Sequence, residues 1–336
     1  MTGNSKRRAS LEDLPPPPDE TLSEKFTYWQ YRSVWELAAR LPDRMARRLP
    51  DRLGTMWYLG ASERQRRMVR INLRRVAGHP ADDDLEELVE AAYRSYAKYW
   101  FDAFRLHTMS PHEVVARSVG ENLEAVDELL AGGQGAILAT AHLGSWDIGA
   151  MFATERDWDV TVVAEVVEPR RLFDRFVWLR RKAGLGVIPL VKGGDMITRL
   201  TSVVEDGGLA ALLADRDLTK KGPVVEFFGE PCRLPPGTAV LARRTGRPVA
   251  VGAFVTEGDG YRGVITDVVD ISQLTVEQGT QVVAHALEEL IGRYPAQWHV
   301  FVPQWLAERE SDHPALAEDF AAPQIDIADV RYEPGS

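Results

Sequence analysis

From residue 135 onward, short apolar runs rich in β-branched residues alternate with stretches of helical periodicity, and this alternation leaves few folds open to the chain. The runs fall at 135–142, 160–167, 185–191, 208–214, 224–228 and 248–255, with Val264 to Ile271 as a later strand. Helical patterns at 145–156, 169–182, 194–205, 237–246 and 276–293 fill the gaps. Strands joined through helices return to the same end of a sheet, so they run parallel with both faces covered. The expected fold is therefore α/β, a mostly parallel central sheet covered by helices. Ahead of it, helical patterns at 25–41, 44–59, 62–76, 84–106 and 119–131 predict a helical N-terminal region. This divides the chain into a disordered N-terminal tail (1–24, with Pro15 to Pro18), one domain over 25–307, and a peripheral acidic tail (308–336). The domain has a mainly helical part, 25–131, and an α/β core, 132–307.

Chemistry is best sought where the first of these strands ends. In G-A-I-L-A-T-A-H-L-G-S-W-D-I-G-A, residues 135–141 read as a buried strand, Gly144 and Ser145 as turn and helix N-cap, and Trp146 to Glu155 as the helix. Inside one helix an i,i+5 pair points about 140° apart. A strand end running into a helix start removes that obstacle and brings His142 and Asp147 to one side of a cleft, at the edge where open α/β sheets hold ligands. A neutral imidazole accepts a proton near neutral pH, and a carboxylate on its other nitrogen fixes the tautomer. The same spacing also fits a histidine satisfied by backbone beside an acid favoured by the helix dipole, so the residues alone leave both readings open. As a metal site the pair supplies only two ligands, with no Cys or second His nearby. The chain has no G-x-S-x-G elbow, and Val191-Lys192-Gly193-Gly194-Asp195 lacks the spacing of a phosphate loop.

Composition narrows the class further. A 336-residue chain with 45% apolar and 27% charged residues is ordinary for a soluble globular enzyme. Its single cysteine, Cys232, precludes an internal disulfide and fits a reducing compartment. No run of 18 apolar residues predicts a span and no signal peptide is evident, so a cytoplasmic protein is expected. Net charge is −10, yet residues 40–76 carry eleven arginines against Asp43, Asp51 and Glu63. Such a chain is no general nucleic-acid binder; it has one anionic partner. Tyr28, Trp29, Trp35, Met56, Trp57 and Tyr58, interleaved with Arg, have the make-up of a membrane-interfacial surface and equally of a helical layer packed on a core.

Several motifs in order sharpen this. A-H-L-G-S-W-D (Ala141 to Asp147), V-A-E-V-V-E-P (Val163 to Pro169), L-R-R-K-A-G (Leu179 to Gly184), L-A-D-R-D-L-T (Leu213 to Thr219), E-F-F-G-E-P (Glu226 to Pro231) and Y-P-A-Q-W-H-V-F-V-P-Q-W (Tyr294 to Trp305) span roughly residues 25–307. In this set the chain resembles the lysophospholipid acyltransferase superfamily with its H-x4-D/E motif. Within the superfamily it is most similar to the lipid A lauroyl/myristoyl branch and, inside that, to the phosphatidylinositol mannoside acyltransferases. The resemblance implies that His142 deprotonates an acceptor hydroxyl, that Asp147 orients it, and that Asp215 approaches it. Asp215 stands where these enzymes usually carry Glu, one methylene longer. Glu165 and Arg180 match polar, substrate-binding positions.

The implied activity is one-step transfer of a palmitoyl-like group from acyl-CoA to a sugar hydroxyl of a glycolipid, at the cytoplasmic face of an anionic membrane. Acyl-CoA enters as co-substrate, and neither a metal nor another cofactor is implied. Trp146, Phe173, Phe176 and Trp178 are candidates for an apolar acyl slot, and backbone amides near Gly144 or Arg180 for the oxyanion. Two alternatives are acylation of a lipid A-type glycolipid and a non-catalytic lipid-binding protein on the same fold. An intact H-x4-D counts against the second.

Overall fold

The computed structural model describes residues 19–191, 193–309, 320–323 and 325–332. Most of the N-terminal tail and Lys192 lie outside the described residues. Four helices come first: α1 (Leu22–Arg40), α2 (Asp43–Gly60), α3 (Glu63–Val76) and α4 (Asp82–Arg105). Their starts are written in the sequence. Thr21 with Glu24 and Ser62 with Gln65 form reciprocal capping boxes, and Asp82, Asp83 and Asp84 fill the first turn of α4, where the helix dipole favours them. Gly54 brings α2 onto α4, since a Cβ there would lie 2.4 Å from Arg94 Cα.

The remainder runs α5 (Pro111–Ala116), β1 (Ser118–Glu121), α6 (Glu124–Leu130), β2 (Ala136–Thr140), α7 (Trp146–Thr154), β3 (Val160–Glu165), α8 (Arg170–Lys182), β4 (Gly186–Leu190), α9 (Met196–Glu205) and β5 (Leu209–Leu213). It continues with β6 (Val224–Phe227), β7 (Glu230–Arg233), α10 (Gly237–Thr245), β8 (Val249–Glu257), β9 (Gly260–Val269) and α11 (Val276–Arg293). Seven strands form one sheet in the order β1-β9-β8-β2-β5-β3-β4. Every pairing is parallel except β8 with β9. Those two are joined by only Gly258 and Asp259, and a two-residue loop can link only antiparallel neighbours. The expected α/β fold with a helical N-terminal region is what forms.

Alternate residues of the central strands feed two apolar clusters. Ile137, Ala139, Ala210, Leu212, Val249 and Val251 pack with α3, α4 and α9 to α11, while Ala136, Leu209 and Ala250 pack with α6, α7 and α8 on the other face. This is the period of two expected of strands covered on both sides.

Three expectations are corrected. Residues 119–131 are not one helix: Ser118–Glu121 pairs with β9 as an edge strand, because backbone groups left open there outweigh the weak helical pattern. The run at 224–228 leaves the sheet and forms a separate hairpin with β7. The tail is in part not peripheral. The Tyr332 amide donates to the Val268 carbonyl and the Asp270 amide to the Val330 carbonyl, and Ile325, Ile327 and Val330 pack on the core where β1 has ended and left β9 uncovered. Among the described residues no helix is long and apolar enough to cross a membrane.

Candidate active site

The turn from β2 into α7, Ala141 to Ser145, lies at the carboxyl edge of the parallel strands. Gly144 makes it possible: its φ is +66°, and a Cβ would sit 2.4 Å from the Phe254 carbonyl oxygen. The amides of His142, Leu143, Gly144 and Ser145 donate to the Asp215 carboxylate and to the carbonyls of Ala141, Gln297 and Phe254. The turn is thereby closed on itself once and held from outside by three groups. The same bonds leave none of these four N–H groups for an oxyanion, against expectation.

His142 Nδ1 donates to Asp215 Oδ1 at 2.8 Å, and the His142 amide donates to Oδ2 of the same carboxylate at 2.9 Å. Trp298 Nε1 adds a bond to Oδ2 at 2.8 Å, and Gln304 Nε2 holds the Asp215 carbonyl at 2.6 Å. Asp215 is fully buried. Burial opposes its ionisation, but the His142 charge and the hydrogen bonds from His142 and Trp298 outweigh burial and hold the carboxyl below its usual pKa. Because a carboxylate only accepts, the Nδ1 proton is fixed and Nε2 carries the lone pair. The shorter Asp side chain therefore reaches His142 directly.

Asp147 does something else. Its carboxylate takes Arg180 Nε at 2.7 Å, Arg180 Nη2 at 3.3 Å and the Tyr99 hydroxyl at 3.1 Å, and the bond that orients His142 comes from Asp215 instead. The cause is Arg180 itself, whose largely buried guanidinium needs a carboxylate and finds one in the first turn of α7. Burial works against that charge, yet Asp147 raises the Arg180 pKa above its ordinary value. Arg180 and Asp147 are thus a two-point pair beside the histidine.

One face of α4, residues 95, 99 and 102, grips this turn, and the sequence reading missed it. The Tyr99 ring stacks on Trp146 with centroids 3.8 Å apart, and Trp146 meets the His142 ring edge-on at 5.5 Å. Asp102 accepts the Ser145 hydroxyl at 3.0 Å and the Tyr261 hydroxyl at 3.1 Å, so Ser145 occupies the N-cap position without capping. Ser95 Oγ bonds His299 Nε2 at 2.9 Å, and the His299 amide donates to the His142 carbonyl at 2.8 Å. Burial and the nearby His142 charge push the His299 pKa down to about 3, so its ring stays neutral. The signal was present as the i, i+4, i+7 spacing of Ser95, Tyr99 and Asp102 in S-Y-A-K-Y-W-F-D.

Between the sheet and α7 runs an apolar slot of about 910 Å³, open solvent at its mouth included. Leu138, Val162 and Ala211 line its sheet side, Phe152 and Trp158 the opposite wall, and Trp146, Asp147 and Arg180 are also part of its lining. Of the four aromatics expected there only Trp146 takes part. Phe173 is buried in a separate cluster with Ala164, Val177 and Val187, Phe176 packs on Trp35 and Trp100, and Trp178 is partly exposed beneath Arg175. Glu165 ends β3 at the same sheet edge and is exposed, with no hydrogen bond or ion pair among the described residues. Cys232 is buried away from this turn, and its thiol donates to the Gln304 carbonyl at 3.4 Å. Burial pushes the thiol pKa well up.

A mostly parallel α/β sheet carrying a carboxylate-held histidine at its edge, with an apolar slot beneath the same edge's Trp146, defines a class that comparison with known proteins makes definite. The profile of the bacterial lipid A biosynthesis acyltransferase family matches residues 19–307, and the chain belongs to that family. It is an acyltransferase. Among its relatives is the phosphatidylinositol mannoside acyltransferase of Mycobacterium tuberculosis (strain CDC 1551 / Oshkosh), 35% identical over 302 residues, which cover 88% of this chain and 93% of that protein. The protein of the same name from Mycolicibacterium smegmatis is 35% identical over 301 residues, 88% of this chain and 96% of the other.

Proposed function

We propose that the protein moves a fatty acyl group from acyl-CoA to a sugar hydroxyl of a phosphatidylinositol mannoside, with His142 as general base. One observation carries this reading: a histidine whose Nδ1 is fixed by Asp215, leaving Nε2 to accept a proton, has its ring against Trp146, part of the lining of the apolar slot. The acyl chain lies in the slot with its thioester at the mouth. The acceptor hydroxyl gives its proton to Nε2 as its oxygen attacks the thioester carbonyl carbon. The C–S bond breaks as the tetrahedral intermediate collapses, and the imidazolium returns the proton to the leaving thiolate. Asp215 stabilises the imidazolium in between.

A thioester is already activated, so no acyl-enzyme, metal or redox cofactor is called for. With the turn amides spent, two cations remain for the oxyanion. One is Arg180, beside the slot; the other is Arg216, half-buried next to Asp215 and without an ion pair among the described residues. Glu165 is left to contact the acceptor.

Exposed apolar groups support action at a membrane. Leu22, Phe26, Trp29 and Leu37 recur along one exposed stripe of α1, and Met45, Arg48, Arg52, Met56 and Leu59 alternate on the outer face of α2. Trp35 and Tyr58 belong instead to the packed interior, and Arg66 is engaged by Glu63 and the Tyr58 ring. The lipid-facing set is therefore narrower than the sequence reading. It supports a peripheral protein acting at the cytoplasmic face of an anionic membrane.

The test is a mass shift on purified phosphatidylinositol mannoside incubated with palmitoyl-CoA and the protein, with lipid A precursor as the competing acceptor. Acylation of lipid A alone, or an undiminished shift with His142→Ala, would overturn the reading.

A further inference from the structure

A second recess lies between α2, α4 and the β8–β9 turn, and it is the chemical opposite of the acyl slot. Arg47, Arg94, Lys98, Ser95, Asp51 and Asp259 line it, around about 750 Å³ of space, open solvent included. Its walls are shared with the catalytic turn. The Gln297 carbonyl accepts the Gly144 amide, and the Gln297 side chain clamps Thr256 at the end of β8. Ser95 holds His299. β8 runs parallel to β2 beside it and Phe254 lies level with Gly144, so the recess, lined by Thr256 and the β8–β9 turn, opens at the same sheet edge as His142 but two or more residues farther along β8.

The charges are specific. Arg94 leans on Glu90 at 3.0 Å and Lys98 on Asp102 at 3.8 Å, whereas Arg47 is half-buried with no ion pair among the described residues. With Arg94 and Lys98 each balanced by a carboxylate outside the lining, Arg47 is left as the lining cation without an ion pair among the described residues. A single anionic phosphodiester matches it, and the exposed Asp51 and Asp259 are acceptors suited to ring hydroxyls.

We propose that this recess is the acceptor's headgroup subsite, taking a polyhydroxylated phosphodiester with Arg47, Arg94 and Lys98 on the phosphate and Asp51 and Asp259 on the hydroxyls. The assignment rests on the glycolipid-acceptor reading above and adds to it the residues that select the acceptor. The other phosphate source, the nucleotide end of acyl-CoA, carries several negative charges and meets two carboxylates here, which disfavours it.

The experiment titrates the full chain with myo-inositol 1-phosphate, with adenosine 3′,5′-bisphosphate and with inorganic phosphate by calorimetry, for wild type, Arg47→Gln and Asp259→Asn. It then measures KM for both substrates. The expected result is that Arg47→Gln weakens myo-inositol 1-phosphate about tenfold and raises the acceptor KM to match, as loss of one charge-assisted hydrogen bond does. Asp259→Asn weakens myo-inositol 1-phosphate but not inorganic phosphate, and the palmitoyl-CoA KM stays put in both variants. Unchanged myo-inositol 1-phosphate affinity in Arg47→Gln overturns the subsite, and so does a loss confined to adenosine 3′,5′-bisphosphate. Soluble probes keep the result independent of membrane binding. A wild type that binds myo-inositol 1-phosphate through Arg47 yet acylates no phosphatidylinositol mannoside would refute the acceptor reading and leave the subsite standing.

Discussion

His142 and Asp147, five residues apart in the sequence, have separate partners, and their variants should fail in different ways. His142→Ala removes the proposed base and should lower turnover by ~10²- to 10⁴-fold, and it also takes the Nδ1 donor from the buried Asp215, so some loss of melting temperature accompanies it. Asp147→Asn instead strands the Arg180 charge. Loss of one partner from a buried pair costs about 3–5 kcal/mol, so denaturant unfolding should show the damage, and Asp147→Leu with Arg180→Met should restore much of the stability without restoring turnover. If Asp147→Asn unfolds like wild type, the pair is not the structural unit described. Asp215 makes a pH prediction with a definite sign. Its folded pKa is depressed, so its contribution is fully present above the unfolded value of about 3.9 and is lost as pH falls through the lower folded one. The stability gap between wild type and Asp215→Asn should therefore be flat from pH 7 to about 5 and close only in stronger acid. Asp217 differs: it accepts the amides of Thr219 and Gly222, so Asp217→Asn should loosen that loop and spare catalysis more than Asp215→Asn does.

At the scale of elements, α4 is the splint of the site. Its 95/99/102 face touches the β2–α7 turn and His299, and the Asp102 carboxylate is shared by Ser145, Tyr261 and Lys98. Asp102→Ala should lower kcat about tenfold or more through a misplaced turn, with small change in either KM, while Asp102→Asn, which keeps an acceptor oxygen, recovers most of it. A matching fall for both variants would mean that the carboxylate's charge matters and not its position. The helices of the N-terminal third were legible because they carry 3.6-residue periodicity, with capping boxes opening α1 and α3. What α4 grips was not, since a stripe of Ser, Tyr and Asp on a helix looks the same whether it faces solvent or a loop some forty residues away in sequence.

The whole molecule has exposed apolar stripes on α1 and α2 and an apolar slot within. Replacing Phe26, Trp29 and Leu37 by Ser should reduce flotation with anionic vesicles, and replacing Arg48 and Arg52 by Gln should do so in a way that high salt mimics. Wild type that stays with the soluble fraction at low salt would show that these groups serve another partner. Cys232→Ser should leave turnover near wild type, with no acyl adduct in the mass spectrum of the intact protein during turnover.

The order of strands and helices, their parallel sense across most of the sheet, the position of the site at a strand end and the candidacy of His142 all follow from local patterns: period, caps, and a glycine turn after an apolar run. Tertiary structure decided the rest. Which carboxylate holds His142 depended on β5 lying beside β2, which sets Asp215, 73 residues away, within 2.8 Å while Arg180 claims Asp147. Likewise, only the sheet's uncovered edge turned Ser118–Glu121 into a strand. Local pattern reports what a segment can form, but a buried charge takes the partner that packing brings nearest, and that distance is written nowhere along the chain.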